Sequence, residues 1–401
     1  MTSASADKLR FTKDFLTVAQ VGCGAFAAGQ DLPNFQKHPH TRVKWCCDTD
    51  EQQARSLAKA FDIPCVTADL NDVVSDPEVD LIKIATSHEA HLPIVEAAAA
   101  NGKHIFCEKP MALEEKEAFA IISAVRRGGV KLCVDLNRRM APSLHALRQN
   151  WQQHLVAPRH QPWRYVEIER ELFPEEEQTQ FLTRIQDESY SYRLIHLDPQ
   201  HGGGLLIGES VHWFDLACWF FAPQIPVEIQ AWGSARFSHG AHVTFSSGDT
   251  ATLIFNCGGS FDYPKELYEV TSHGALFRNR FFVENEYHGI PGLDRETFPL
   301  QHDDLPEIGA EGGFSGYTQK YRTRVQGLAG NSKEGHGELM VDKGHENMLA
   351  TFVDAILHDK PSPCDELAGY LSVYLARLAI QSIEQRQALP VPVDRVHPCI
   401  V

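Results

Sequence analysis

The first 140 residues alternate short apolar runs with stretches whose apolar positions recur every three or four residues. FLTVAQVG reads as a strand entering a glycine turn and RVKWCCD as a second strand. DEQQARSLAKAF follows as a helix, with Thr49 and Gln52 at capping-box spacing. VDLIKIAT is a further strand, HLPIVEAAAANG a helix stopped at Asn101-Gly102, KHIFCEKP a strand, EEKEAFAIISAVRRGG a helix and VKLCVDL a strand. Parallel strands need crossovers, and right-handed helical crossovers cover both faces of a sheet. The order therefore predicts an α/β fold, a doubly wound parallel sheet from about Lys13 to Arg139.

Beyond Arg139 the rhythm changes. A helix is predicted near Ser143 to Trp151, a strand in WRYVEIERE, a helical run in GESVHWFDLACWF, and strands in VEIQAWGSAR, AHVTF and TATLIFNC. Ser246-Ser247-Gly248-Asp249 makes a hairpin turn between the last two. Strands joined by such turns imply a separate C-terminal α+β domain with a large, mostly antiparallel sheet. The expected division is a flexible tail over 1–12, a dinucleotide-binding domain over 13–140 and a substrate-binding and oligomerisation domain over 141–390. Residues 288–340, rich in Gly, Asp, Glu and Pro, show no period and read as an irregular surface excursion. Helices near Glu346 to Leu357 and Asp365 to Gln385 close the chain.

Composition narrows the function classes. At 401 residues, 43% hydrophobic and 22% charged, the chain can bury a large core in about two domains. A formal net charge of -16 argues against a phosphate-backbone partner, which needs clustered Lys and Arg. MTSASADKLRFTKDF lacks a signal peptide's apolar region, and no run approaches the roughly 18–20 apolar residues of a membrane span. The ten cysteines include no CxxC pair. Cys46, Cys107, Cys133 and Cys257 lie in apolar runs, so they read as reduced small hydrophobes and favour the cytoplasm; Cys399 stands one position too late for a prenylation box.

Candidate chemistry begins at VGCGAFA. Gly22 permits a tight turn, Gly24 lets the main chain approach a pyrophosphate, and Ala27 allows close helix–strand packing; Ala25 and Phe26 complete the candidate cofactor turn. Asp48, ending the second strand a little over 20 residues on, offers a carboxylate to the ribose hydroxyls of an adenosine. No arginine follows it and its charge repels a 2'-phosphate, so NAD(H) is predicted over NADP(H). In ATSHEAH, Thr86 and Ser87 are small enough for a cofactor to pass over the strand end. His88 and His91 stand three apart with no third ligand, so no metal is predicted; His91 reads as a helix cap at the cofactor's edge.

Together VGCGAFA, ATSHEAH, GKHIFCEKPMA and GGGLLIGESVHWFDL resemble the Gfo/Idh/MocA oxidoreductases, the family of glucose-fructose oxidoreductase and inositol dehydrogenase, over nearly the whole chain. The resemblance implies that Lys109 is catalytic or orients substrate, that Glu108 shapes the cofactor site beside a Lys109-Pro110 bond that can be cis, and that His212 is the general acid/base. Asp215 matches the last residue of the His-x-x-Asp element, with a structural hydrogen bond as its alternative role. Many members carry an aspartate four residues before the histidine, where this chain has Gly208; Glu209 is one helical step away, about 100 degrees round. DLNRRMAP, with Asn137 as a further cofactor candidate, and GGGLLIGES mark a branch in which Glu209 has its own role in placing substrate or cofactor. Tyr192, Arg193, His196 and Asp198, just before Gly202-Gly203-Gly204, are the remaining substrate candidates. The implied activity is NAD-dependent hydride transfer at a secondary hydroxyl or ketone of a sugar, sugar derivative or cyclic polyol. The alternatives are an NAD-dependent glycosidase working by transient oxidation and elimination, and a catalytically silent sensor of NAD or sugar. A homo-oligomer, dimer or tetramer, is also implied.

Overall fold

The computed structural model describes residues 14–156, 178–187, 197–198, 201–259, 265–300, 312–327 and 340–396. The chain divides into two units: one comprises residues up to Ala112, Lys116–Asp135 and Glu346–Gly369, the other Leu113–Glu115, Leu136–His345 and Tyr370 onward.

In the first unit, β1 (Leu16–Val21) leads through a π-helical turn (Ala27–Asp31) into α1 (Leu32–Lys37). β2 (Thr41–Cys47), α2 (Glu51–Ala60), β3 (Cys65–Thr67), α3 (Leu70–Val74), β4 (Leu81–Ile84), α4 (His91–Ala100), β5 (His104–Cys107), α5 (Glu115–Gly128) and β6 (Leu132–Val134) follow. The six strands pair in parallel in the order β3-β2-β1-β4-β5-β6. The predicted doubly wound sheet is thus present. Its strands read as unbroken apolar runs because both faces are covered: all six residues of β1 and all four of β4 are buried. The chain goes out one way through β2 and β3, then crosses to β4 on the other side of β1. That reversal opens a crevice at the carboxyl ends of β1 and β4.

α2 buries Ala54, Leu57 and Ala58, one i, i+3, i+4 stripe. Its cap is Asp50, whose carboxylate accepts from the amides of Gln52 and Gln53, so the expectation of a Thr49 cap is corrected by one residue. The short β3 and α3 carry too few residues to show a period and were not anticipated.

The second unit contains α6 (Pro142–Val156), β7 (Gln180–Gln186), α7 (Gly204–Gly208), α8 (Val211–Phe221), β8 (Pro226–Gly233), β9 (His239–Phe245), β10 (Thr250–Asn256), β11 (Glu266–Ser272), β12 (Ala275–Arg280), β13 (Glu284–His288), β14 (Arg295–Thr297) and α9 (Gly313–Gly327). α10 (His345–Leu357) belongs to the first unit, α11 (Glu366–Gln385) passes from the first to the second, and β15 (Leu389–Pro390) ends the sheet. The nine strands lie in the order β14-β13-β12-β11-β7-β10-β9-β8-β15, antiparallel except for β7 with β10. α8 is buried on every side, and its aromatic residues pack on the sheet: Phe220 on Phe181, Phe221 on Phe245, Trp213 on Phe255. Two expectations change here. The 288–340 excursion holds β14 and α9, and the helical run through GESVHWFDL breaks between Gly208 and Val211. The WRYVEIERE strand lies outside the described residues.

Candidate active site

The glycine turn joins three strands. The Gly22 amide donates to the Cys47 carbonyl at 2.8 Å, and the Ala85 amide donates to the Val21 carbonyl at 2.8 Å. Gly22 has φ +89°, and a Cβ on it would stand 2.4 Å from the Ala85 carbonyl oxygen, so only glycine allows β1 and β4 this approach. Asp48 closes the turn from β2. Its Oδ2 accepts from the Cys23 amide at 2.8 Å and the Gln53 side chain at 3.1 Å, and its Oδ1 accepts from the Asp50 amide at 2.9 Å. A carboxylate has about four acceptor positions, which leaves capacity for a ribose hydroxyl. At Gly24 nothing lies within 4 Å of an ideal Cβ, while Ala25 and Phe26 are exposed, Thr86 is half-buried and Ser87 exposed. An open main-chain turn beside a held carboxylate fits a dinucleotide: Gly24 to Phe26 would face its phosphates and Asp48 its adenosine ribose.

His91 is placed differently from its expectation. It is the first residue of α4 with no capping bond, fully buried, and its Nδ1 pairs with the Pro110 carbonyl at 3.0 Å. Burial lowers its pKa to about 4, so at neutral pH a neutral ring donates to that carbonyl and holds the turn after β5. The side chain is therefore enclosed against the turn after β5 and does not cap α4.

Lys109 is partly exposed just beyond β5, at the carboxyl edge that also carries the glycine turn, and its bond to Pro110 is cis. The Glu108 amide donates to the Ile84 carbonyl at 2.9 Å, which extends the β4–β5 ladder by one residue. The Glu108 carboxyl turns inward onto Lys83, with Oε1 2.5 Å from Nζ. The sequence reading passed over Lys83. The signal was present, a lone cation inside VDLIKIAT, but its partners at Asp31, Glu108 and Asp135 are remote in the chain.

In the second unit, the single turn Asn137–Met140 fastens three segments. Asn137, fully buried, donates from Nδ2 to the Lys343 carbonyl at 2.8 Å and bonds His345 Nε2 at 3.1 Å. Its side chain is thus engaged within this unit. Arg138 grips both oxygens of Glu266 at 3.1 and 2.9 Å, and Arg139 grips both oxygens of Asp215. Glu266 also accepts from Tyr268 at 2.5 Å and lies 3.2 Å from the Lys343 ammonium. Burial alone would raise the Glu266 pKa, but Arg138 and Lys343 outweigh it and hold the carboxyl well below the usual range. Arg139 thereby ties down Asp215 on α8, one turn beyond the buried His212. Glu209 is half-buried in the link between α7 and α8, not one step round a continuous helix, and its charge is felt by Arg138 and by Lys265, itself ion-paired to Asp187. Asp198 accepts the Gly202 and Gly203 amides on its carbonyl at 2.8 and 2.9 Å and pairs with His201 at 3.1 Å. Tyr192, Arg193 and His196 lie outside the described residues.

Residues 16–136 match the family model described as "Oxidoreductase family, NAD-binding Rossmann fold". The chain is 27% identical to the uncharacterized oxidoreductase YrbE of Bacillus subtilis over 400 residues, 94% of this chain and 97% of that protein. It is 33% identical over 129 residues to the D-apiose dehydrogenase of Paraburkholderia graminis, 32% of this chain and 34% of that enzyme. The WlbA dehydrogenase of Bordetella pertussis, solved with NADH and UDP-GlcNAcA, shares the fold at TM-score 0.68 and 16% identity over 95% of this chain and 99% of its own.

Proposed function

Because this chain belongs to the Gfo/Idh/MocA oxidoreductase family, we propose that it moves hydride between NAD and a secondary hydroxyl or ketone of a sugar, sugar derivative or cyclic polyol. The observation that carries the cofactor side is the Asp48 carboxylate tied to the Cys23 amide of the glycine turn. The substrate class rests on relatives such as the D-apiose dehydrogenase.

When bound, the nicotinamide supplies the hydride acceptor. The chain's own residues do the rest. His212 takes the hydroxyl proton as hydride leaves, since an imidazole titrates near the pH at which such a transfer must run. The Lys109 ammonium orients the hydroxyl and favours developing alkoxide character on its oxygen. Arg139, through Asp215, holds α8 and with it His212. Glu209, Asp198, Tyr192, Arg193 and His196 are the proposed donors and acceptors for the substrate's other hydroxyls.

The test is an assay of the purified protein with NAD+ against free sugars, inositols and aryl glycosides, following NADH and released aglycone in parallel. NADH accumulation supports the dehydrogenase, and aglycone release at constant NADH replaces it with the glycosidase that works by transient oxidation. Lys109→Ala and His212→Ala should each lose turnover by at least about a hundredfold, the scale of positioned acid–base catalysis, while NAD binding survives. Unchanged rates in both would overturn the assignment.

A further inference from the structure

Ser210 immediately precedes α8, where a serine ordinarily accepts from the free amides of the helix. It does not do so here. Its backbone is already helical, at φ -73° and ψ -9°, and its side chain makes no capping bond. The hydroxyl lies instead 2.7 Å from Nε2 of His239, the first residue of β9, and both residues are buried. A buried serine that leaves its local role for a partner 29 positions away marks a place where another demand overrides local preference.

The direction of the bond is fixed by the ring. His239 Nδ1 is 2.7 Å from the Phe237 carbonyl, which can only accept, so Nδ1 carries the proton and Nε2 presents a lone pair. Burial lowers the His239 pKa to about 4, which keeps the ring neutral at neutral pH, and Ser210 Oγ donates to it. The ring lies flat on Phe255, with centroids 5.0 Å apart and planes within 4°. Phe255 also packs on Trp213, whose Nε1 donates to the Tyr268 hydroxyl at 3.1 Å.

α7 and α8 do not form one rod. The amides of Glu209 and Ser210 both turn back to the Leu205 carbonyl, at 3.0 and 3.1 Å. α8 then starts afresh, with the amides of His212 and Trp213 on the carbonyls of Glu209 and Ser210 at 3.2 and 3.0 Å. At such a break the main-chain ladder does not set the direction in which the second helix leaves, so side-chain bonds must. Beyond His212 these are Trp213 to Tyr268 and Asp215 to Arg139. Before it the bond is Ser210 to His239. The same β8–β9 loop also holds α7, because the Ala235 carbonyl accepts the Leu206 amide at 3.0 Å. Glu209 and His212 therefore flank a residue whose side chain is anchored in the sheet.

We propose that the Ser210–His239 hydrogen bond is a positioning link, which sets the exit of α8 from the break and with it the placement of His212 and Glu209. Its catalytic consequence rests on the assignment of His212 as the base; Ser210 and His239 act through that residue.

The experiment compares Ser210→Ala, His239→Leu, their double variant and His239→Gln, whose amide oxygen can accept where Nε2 does, with thermal melts to establish folding. One readout is kcat and KM with the sugar that reduces NAD+. The other needs no turnover: the rate at which diethylpyrocarbonate acylates His212, read by peptide mass spectrometry against the exposed His288 as internal standard. Loss of one such hydrogen bond is worth roughly three- to tenfold. Ser210→Ala and His239→Leu should each lower kcat by about that factor with KM within about twofold. The double variant should match the singles, since all three break the same bond, and His239→Gln should recover kcat to within about twofold of wild type. His212 acylation should change at least about threefold in the Ala and Leu variants and return in His239→Gln. Should His212→Ala keep its turnover, the base assignment falls and the acylation rates alone decide the link. Unchanged acylation in Ser210→Ala and His239→Leu overturns the proposal, as does a loss of kcat that His239→Gln fails to recover. Should His239→Leu not fold, Ser210→Ala, which removes a single oxygen, and His239→Gln carry the test.

Discussion

Gly22→Ala is the substitution whose cost follows most directly from the structure. Two contributions add. The position has φ +89°, a region that L residues with a Cβ occupy at a cost of about 1–2 kcal/mol. The new methyl would also stand 2.4 Å from the Ala85 carbonyl oxygen and 2.6 Å from its carbon, and both are main-chain atoms. Neither strand can retreat cheaply: the Ala85 amide is bonded to Val21 and the Gly22 amide to Cys47. Forced overpacking of this kind costs about 1–3 kcal/mol, so the expected destabilisation is about 2–5 kcal/mol. Because relief must come from parting β1 and β4, the crevice widens and NAD affinity falls with stability. Urea unfolding followed by fluorescence gives the first quantity and NADH titration the second. A loss below about 1 kcal/mol with affinity unchanged would mean that the close approach does not organise the crevice.

Three further outcomes are expected. Asp48→Ser removes a charged acceptor worth about 1.5–3 kcal/mol, so NAD+ affinity should drop at least about tenfold and the preference over NADP+ should narrow; an unchanged NAD+/NADP+ ratio in cofactor titrations would exclude Asp48 as the determinant. Arg138→Met strips the bidentate partner from the buried Glu266, and since Lys343 and Tyr268 remain on that carboxylate the loss should be about 3 kcal/mol, at the low end for a broken buried pair, read from the urea midpoint at constant slope. His91, His104 and His239 are each lowered to about 4, chiefly by burial. Their unfolded values lie near 6.5, so between about 6.5 and 4 the unfolded chain binds more protons than the folded one. Each therefore contributes stability that is present above about 6.5 and is lost as the pH falls toward about 4, by up to about 1.4 kcal/mol per pH unit, and melts across that range should show it.

The parallel sheet was legible because its strands are buried on both faces and its helices carry clear stripes, as in α2. The second unit was harder for a physical reason. ELYEVTS and ALFRNR, the strands β11 and β12, bury alternate residues such as Tyr268, Val270 and Phe277 and place charge between them, so they resemble neither an apolar run nor a helix stripe. α9 hides its apolar residues among glycines and cations in GFSGYTQKYRTRVQG. Gly22 and Asp48 were readable from the site because the turn needs them at fixed local spacing. The Lys83 array and the Arg138–Glu266 pair were not, since each is assembled by tertiary folding from residues up to 128 positions apart.

The late helix α10 sets the order in which the protein can be made. It brings Phe352 against Phe106 of β5 and Met348 against Cys133 of β6, and farther on the Cys364 carbonyl accepts the amide of Val134 on the sheet's edge strand. A ribosome that has delivered all six parallel strands has therefore not yet delivered the wall that covers two of them or the cap on their open edge. The first unit must wait for some two hundred further residues before it can close. A fragment cut after β6 would expose Phe106 and an unpaired edge. The unit is continuous in space but interrupted in synthesis, and a faithful minimal version would have to splice residues 346–369 back onto the end of β6.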